Sequence, residues 1–331
     1  MPQRLYLLLF TLPLLFAQKG ATQPTAPTQG LAAFAPLLTG LGLSAPSRTM
    51  LNYTGQWAPD STAPPIQQHR INFTHPLKKT EKESWSTSAQ ISSLHFERRL
   101  SLGTQGPLLA HDFYRNEIGF QYSKDLDHHR SLGVRGNFGS ASDRPFEENE
   151  DLSFSFSGSY IFPSENENFW VVTMFISNNS PLGNYVPIPG FVYLYKTPKF
   201  VGMFGLPIAS FQWMPIERWS FSFALLGPQL SSEIAYSFLF PRQQIFFSAN
   251  WGQQSFLRAD RSRQDDRLVF DEKRIYLGAR SPLSRFLSGE LQIGQAFARS
   301  VFEGDGFFNR DRGSVDLEDS WFLQVNLRAI F

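Results

Sequence analysis

Counting back from Phe331, every second residue is apolar: Ala329, Leu327, Val325, Leu323 and Trp321. The interleaved set is Ile330, Arg328, Asn326, Gln324 and Phe322, polar through its middle. A period of two is the mark of a strand, whose successive side chains point to opposite faces. The pattern recurs along the chain. Leu152, Phe154, Phe156, Gly158 and Tyr160 alternate with Ser153, Ser155, Ser157 and Ser159. Ile245, Phe247, Ala249 and Trp251 alternate with Gln244, Phe246, Ser248 and Asn250, and similar segments start at Trp219 and Leu287. One face is apolar each time, and the other carries Ser, Gln, Asn or Arg.

The apolar load is aromatic, with 33 Phe, 10 Tyr and 7 Trp. That is unlike the Leu- and Ala-rich core of most soluble domains and suits an outer face with aromatic girdles. Beyond residue 16 no apolar run reaches the roughly 18 residues that a spanning helix needs. In hydrocarbon only helices and closed barrels satisfy every backbone group, so the expectation is an all-β, antiparallel transmembrane barrel. A secreted β-sandwich is the rival fold. Cysteine is absent, which excludes disulfides, thiolate catalysis and cysteine-ligated metals. Without residues 1–17, which hold only Arg4, the chain has 29 basic and 29 acidic residues. A neutral chain gives no reason to expect a nucleic-acid partner.

Arg4, the apolar stretch Leu5 to Phe16 and the small Ala17 have the profile of a secretory signal peptide over 1–17, with an uncleaved anchor as the rival. Residues 18–65 read as a periplasmic extension or linker, rich in Thr, Pro, Gln and Gly over 18–48, and residues 66–331 as the barrel. Strands are expected near 66–75, 84–97, 114–123, 130–138, 151–161, 168–178, 189–196, 206–213, 217–226, 230–240, 243–254, 272–281, 286–298 and 320–331. That is about fourteen, with twelve as the alternative and 48–57 open as a further strand. Short Pro-containing turns at 214–217, 240–243 and 281–285 alternate with long polar stretches, Arg258 to Asp271 and Arg299 to Asp319. Such barrels have short periplasmic turns and longer external loops, which puts both termini in the periplasm. The same count makes His128-His129 an external turn.

A closing strand that ends on an aromatic residue resembles those of bacterial outer-membrane β-barrels. The resemblance implies that the assembly machinery reads Phe331, Leu327 and Trp321 as a signal. The layout of Gly205 to Pro215, then Arg218-Trp219-Ser220-Phe221, Gly227-Pro228 and Ser232 to Phe238, resembles a family of such barrels of uncharacterised function. It covers about a sixth of the chain and implies fold and location, with lipids and lipopolysaccharide as surroundings, and no activity.

Alternation assigns Arg70, Arg115, Glu117, Arg135, Arg218, Glu233, Arg274, Arg280, Glu290 and Arg328 to the lumen. Seven are basic and three acidic. Two readings follow: a self-compensated network that braces the wall, including a Glu290–Arg328 pair, and a pore with weak anion preference. His128-His129 reads as a polar hairpin tip, and His95 has no evident Asp or Asn partner. The acidic run Glu303-Gly304-Asp305-Gly306 with Asp311, Asp316, Glu318 and Asp319 reads as a solvated loop, since its spacing does not match a hand-type calcium loop. No cofactor and no catalytic residue is assigned. The expected function is a passive channel or small-solute transport protein in the outer membrane. A barrel-embedded hydrolase and a structural or adhesion barrel with a filled lumen are the alternatives.

Overall fold

The computed structural model describes residue 46 and residues 48–58, 66–103, 106–126, 130–164, 168–180, 182–239, 243–306, 309–310 and 312–331. The expected signal peptide, most of the extension, and His128 and His129 lie outside the described residues.

Seventeen strands follow one another: β1 Met50–Trp57, β2 Ile66–Lys79, β3 Glu83–Phe96, β4 Asp112–Leu126, β5 Arg130–Ser142, β6 Leu152–Pro163, β7 Phe169–Ser177, β8 Ile188–Lys196, β9 Phe200–Leu206, β10 Ile208–Ile216, β11 Trp219–Leu226, β12 Gln229–Leu239, β13 Gln243–Phe256, β14 Arg267–Pro282, β15 Leu287–Gly304, β16 Ser314–Leu317 and β17 Ser320–Ile330. All pairings are antiparallel, and β1 pairs with both β2 and β17. The sheet therefore closes on itself. β16 pairs only with β15, so the ring itself holds sixteen strands.

Sixteen replaces the expected fourteen or twelve. One added strand is β1, in the segment 48–57. The other is β9. Its outward residues Phe200 and Phe204 and its inward residues Val201 and Met203 are all apolar, which erases the alternation that marks a strand. A single residue, Pro207, connects it to β10, so no turn cluster separates the two. Restoring β9 inverts the end assigned to every connection before residue 200. The β4 and β5 ends that flank 127–129, Leu126 and Arg130, pair at the rim that carries the short turns. The sequence-based count set that connection at the same rim as 258–271, and the strand pairing sets it at the opposite one.

With sixteen strands the two rims differ in kind. One carries the connections 80–82, 197–199, 217–218 and 283–286, together with both ends of the ring, where the Phe331 N–H donates to the Thr49 carbonyl at 2.9 Å. The other carries 97–111, 143–151, 178–187 and 257–266. Two tight turns interrupt this long-loop rim, Pro207 and Gly227-Pro228. Gly227 has φ 53°, a left-handed conformation that costs glycine little.

The wall is inverted relative to a soluble protein. Ile71, Phe120, Phe156, Phe191, Phe247, Leu277, Leu291 and Trp321 are exposed on the outside, whereas Ser86, Gln121, Ser153, Ser159, Ser248, Gln292 and Gln324 are buried inside. The closing strand follows the expected phase, with Trp321, Leu323, Leu327 and Phe331 exposed and Phe322 and Gln324 buried. Outward aromatics gather near the short-turn rim. Trp85 lies 4.5 Å from Tyr122, Trp170 lies 4.6 Å from both Phe191 and Tyr193, and Trp219 lies 5.1 Å from Tyr236, measured between ring centroids.

At the long-loop rim the interior becomes apolar. Phe113 of β4 lies 5.3 Å from Phe256 of β13, and Phe96 lies 6.1 Å from Phe113 and 6.0 Å from Phe270. Ile66, Leu94, Leu102, Leu109, Val301 and Leu317 belong to the same cluster. β4 and β13 stand seven strands apart by the shorter way round the ring, so nearly opposite walls touch. The Leu257 N–H, just past β13, donates to the Ala141 carbonyl of β5 at 2.6 Å, from eight strands away in either direction. A register shift between Asp271 and Lys273, with Ala298 at φ 46°, bends β14 and β15 at this level. Beyond the shift, Arg267–Glu272 and Arg299–Gly304 are buried on both faces, unlike a wall strand with one face outside. The mouth is pinched shut.

Replacing a buried core Phe with Ala removes transfer energy and leaves a cavity, about 3–5 kcal/mol in well-packed sites. Phe113→Ala is expected to lower the unfolding free energy of the detergent-folded barrel by about that much, read as a lower urea midpoint. An unchanged midpoint would show that the aromatic cluster holds nothing together.

Candidate functional site

The inner wall carries a continuous row of directly opposed residues. In ring order from β13 to β5 it reads Gln244, Arg280, Glu290, Asn326, Thr54, Arg70, Ser92, Arg115 and Ala141. Antiparallel register sets this order, because each residue faces its partner on the next strand across roughly 5 Å. The row climbs from the short-turn rim at Gln244 to the long-loop rim at Ala141 and brings together side chains from positions 54 to 326.

At one end of the row the charges cancel. Arg280 is hydrogen-bonded to Glu233, lies 3.7 Å from Glu290, and donates to Gln244 Oε1 at 2.8 Å. It also stacks 4.4 Å above the Phe246 ring. Glu290 accepts from Asn326 Nδ2 at 2.7 Å and from Gln292. The sequence-based Glu290–Arg328 pair does not form. The register sets Ser288 opposite Arg328, which is exposed near the short-turn rim and reaches Met50 Sδ at 3.4 Å.

Further along, positive charge predominates. Arg115 pairs with Glu117 at 2.8 Å and donates to the Ser255 carbonyl at 2.7 Å. Arg135 donates to Asn137 at 3.1 Å. Arg274 donates to Gln56 Oε1 at 2.6 Å and Gln324 Oε1 at 3.1 Å, and it shares Glu272 with Arg299, at 3.4 and 3.2 Å. Arg115, Glu117, Arg135, Glu233, Arg274, Arg280 and Glu290 all face the interior. Arg218 does not join them. It occupies the two-residue turn before β11, exposed, with Nη1 3.5 Å from the Tyr236 hydroxyl on the outer side.

Two adjoining cavities follow this wall. One, of about 480 Å³, is lined at the short-turn rim by Asn52, Gln244, Arg280, Ser281, Glu290 and Arg328. The second, of about 350 Å³, lies deeper between Gln56, Gln68, Arg70, Ser92, Gln254 and Arg274. Thr54 and Asn326 line both.

Beyond the Phe cluster a cap of loops lies over the mouth. Arg258 and Glu303 form a two-pronged pair, both contacts 3.1 Å, with side chains 5% and 2% exposed. Arg267 is fully buried. It donates to the carbonyls of Asp265 at 2.6 Å and Asn178 at 2.9 Å and to Asn184 Oδ1, tying 178–184 to 265–267. Arg312 lies 3.5 Å from buried Asp266, and Arg144 lies 3.0 Å from Asp260. In the rim turn at Asn149–Asp151, burial pushes the Asp151 carboxyl above the usual carboxylate range. The Glu148 N–H, Arg261 and the Ser142 hydroxyl oppose that shift.

The stretches 258–271 and 299–319 were expected to be solvated loops. Arg258, Asp266, Arg267 and Glu303 are instead buried, because each finds an oppositely charged or carbonyl partner on another loop. Polarity alone carries no sign of that burial. Gln56, Gln68 and Gln254 of the deep cavity were not among the expected lumen residues, although Gln56 and Gln68 share the inward parity of Arg70. His95 does have an acidic partner, Asp112 Oδ1 at 2.7 Å, supplied by the next strand. No serine hydroxyl is hydrogen-bonded to His95 among the described residues.

No protein-family model matches the chain, and no curated protein matches it. Among solved structures, an outer-membrane channel from Pseudomonas putida is similar at 9% identity over 87% of this chain and 97% of that chain, with TM-score 0.36. The OccAB4 protein of Acinetobacter baumannii is similar at 10% identity over 86% and 97%, with TM-score 0.36. A porin of Rh. blastica is similar at 9% identity over 86% and 99%, with TM-score 0.30. At these scores the likeness carries no functional weight. The barrel rests on its own strand pairing.

Proposed function

We propose that the chain is an integral outer-membrane barrel that acts as a gated channel for small solutes. Its termini and short turns face the periplasm, and its capped rim faces outward. The observation that carries this reading is the pair of adjoining polar cavities, which begin at one rim and end beneath a seal. That seal combines a side-chain cluster with a cap of ion-paired loops, elements that can move without breaking the ring.

The membrane part of the proposal is supported by the exposed apolar outer wall and its aromatic girdle, a surface too large and continuous for water. Outer-membrane lipids and lipopolysaccharide are its surroundings. Exposed Trp321, Leu327 and Phe331 suit the closing strand to recognition by the barrel-assembly machinery. The charge balance gives no reason to propose a nucleic-acid partner. A second reading, a structural or adhesion barrel, is favoured by the sealed mouth. His95–Asp112, the pair nearest to a hydrolase constellation, has no serine hydrogen-bonded to it among the described residues.

Recordings in planar bilayers separate the two leading readings. The sealed wild type is expected to show rare conductance steps. Glu303→Gln leaves Arg258 buried without its anion, a loss of about 3–5 kcal/mol in comparable pairs, and is expected to multiply the openings. Absence of steps from both proteins at every voltage would contradict the channel.

A further inference from the structure

We infer that the deep cavity is a binding site for a small oxyanion, a solute bearing a carboxylate or phosphate group, with Arg70 as its principal anchor. This rests on the channel reading only for the route of entry. The site itself rests on four observations.

Arg70 has no hydrogen bond or ion pair among the described residues, although it faces the inside of the ring. Its immediate row neighbours are Thr54 and Ser92, which are neutral, and the next residue beyond Ser92 is Arg115. The guanidinium remains exposed so deep within the barrel because it projects into the cavity of about 350 Å³. An arginine placed in a wall without a carboxylate presents up to five N–H donors to whatever enters.

The acidic residues nearby are already engaged. Glu117 is held by Arg115, and Glu272 is shared between Arg274 and Arg299. Arg274 lines the same cavity and donates hydrogen bonds to the neutral Gln56 and Gln324. Two guanidinium groups therefore share one chamber with no carboxylate lining it.

The neutral lining adds donors. Gln68 accepts from Gln254 Nε2 at 2.9 Å, which orients its amide. Its own Nε2 is buried without a partner, a state that normally costs free energy unless a ligand or water completes it. Ser92 supplies a hydroxyl opposite Arg70.

The chamber also has an entrance. It adjoins the larger cavity through Thr54 and Asn326, and that cavity is lined by residues of the short-turn rim. The other end is sealed by the Phe cluster. An anion that enters from the short-turn rim meets the compensated Arg280–Glu233–Glu290 group first and then the uncompensated Arg70. Its volume suits a small organic anion, since ligand sites begin near 300 Å³.

The test is calorimetric titration of the folded protein in detergent with inorganic phosphate at low ionic strength. One saturable site is expected. Arg70→Gln is expected to weaken binding about tenfold or more, the loss of a charge-assisted contact, while Arg218→Gln in the outer turn stays within about twofold. The barrel of Arg70→Gln is expected to remain at least as resistant to urea as wild type, because the change relieves repulsion from Arg115 and Arg274. A destabilised Arg70→Gln would mean that Arg70 braces the wall, and would overturn the site. Absence of binding to the wild type, or equal affinity in Arg70→Gln, would overturn it as well. Conductance without phosphate binding would remove the site and keep the channel. Phosphate binding in a protein that never conducts would keep the site and remove the channel.

Discussion

Closure of β1 onto β17 is the constraint from which the other features follow. Eight residue pairs, from Met50 opposite Ile330 to Trp57 opposite Leu323, remove the last free edges of the sheet. An unpaired backbone group in hydrocarbon costs several kcal/mol, so an apolar outer wall and a closed ring require each other. The closure also fixes register. Asn326 opposite Thr54, and Thr54 opposite Arg70, set a residue from near one end of the wall beside one from near the other. The interior row and its two cavities exist only because the ring closes in that register.

A ring of sixteen strands ordinarily encloses water across its whole height. Here the interior changes character along the axis. At the short-turn rim Ser, Gln, Asn and paired charges line it. At the long-loop rim Phe96, Phe113, Phe256 and Phe270 meet across the opening, and Arg258–Glu303 and Arg267 fasten the loops above them. The seal consists of side chains and loops, while the wall hydrogen bonds are continuous beneath it. Opening the mouth therefore requires the apolar contacts, the ion pairs and the hydrogen bonds across it to separate, the Leu257–Ala141 backbone bond among them. Breaking one partner of a buried pair is costly, whereas moving both partners back into water restores their hydration.

The outer face and the parity of the wall could be read from the sequence, because alternation is a local property and the outward positions are apolar strand after strand. Phe331 to Trp321 came out in the observed phase, and Arg115, Glu117, Glu233, Arg274, Arg280 and Glu290 were placed inside by parity alone. Parity fails where alternation does. β9 was lost because Val201 and Met203 are as apolar as the outward Phe200 and Phe204, and Arg218 was misjudged because it lies in a turn. The pinched mouth has no local signature at all. Phe113 and Phe256 are far apart in sequence, and nothing within either strand announces that they touch. The loops that cap them are polar, and polarity reads as solvation until a partner such as Glu303 for Arg258 comes into view.

Cross-linking across the mouth tests the seal. The chain contains no cysteine, so Ala141→Cys with Leu257→Cys introduces a single pair into an otherwise thiol-free protein. In the sealed barrel the backbones of these residues are joined by a hydrogen bond of 2.6 Å, close enough for a disulfide to form under mild oxidation. In an open ring of sixteen strands the same residues would stand on the order of 25 Å apart, beyond any disulfide. The expected result is efficient cross-linking in the folded barrel, seen as a redox-sensitive shift on a denaturing gel and as loss of conductance steps until a reductant is added. Folded protein that keeps both thiols free under oxidation would contradict a closed mouth.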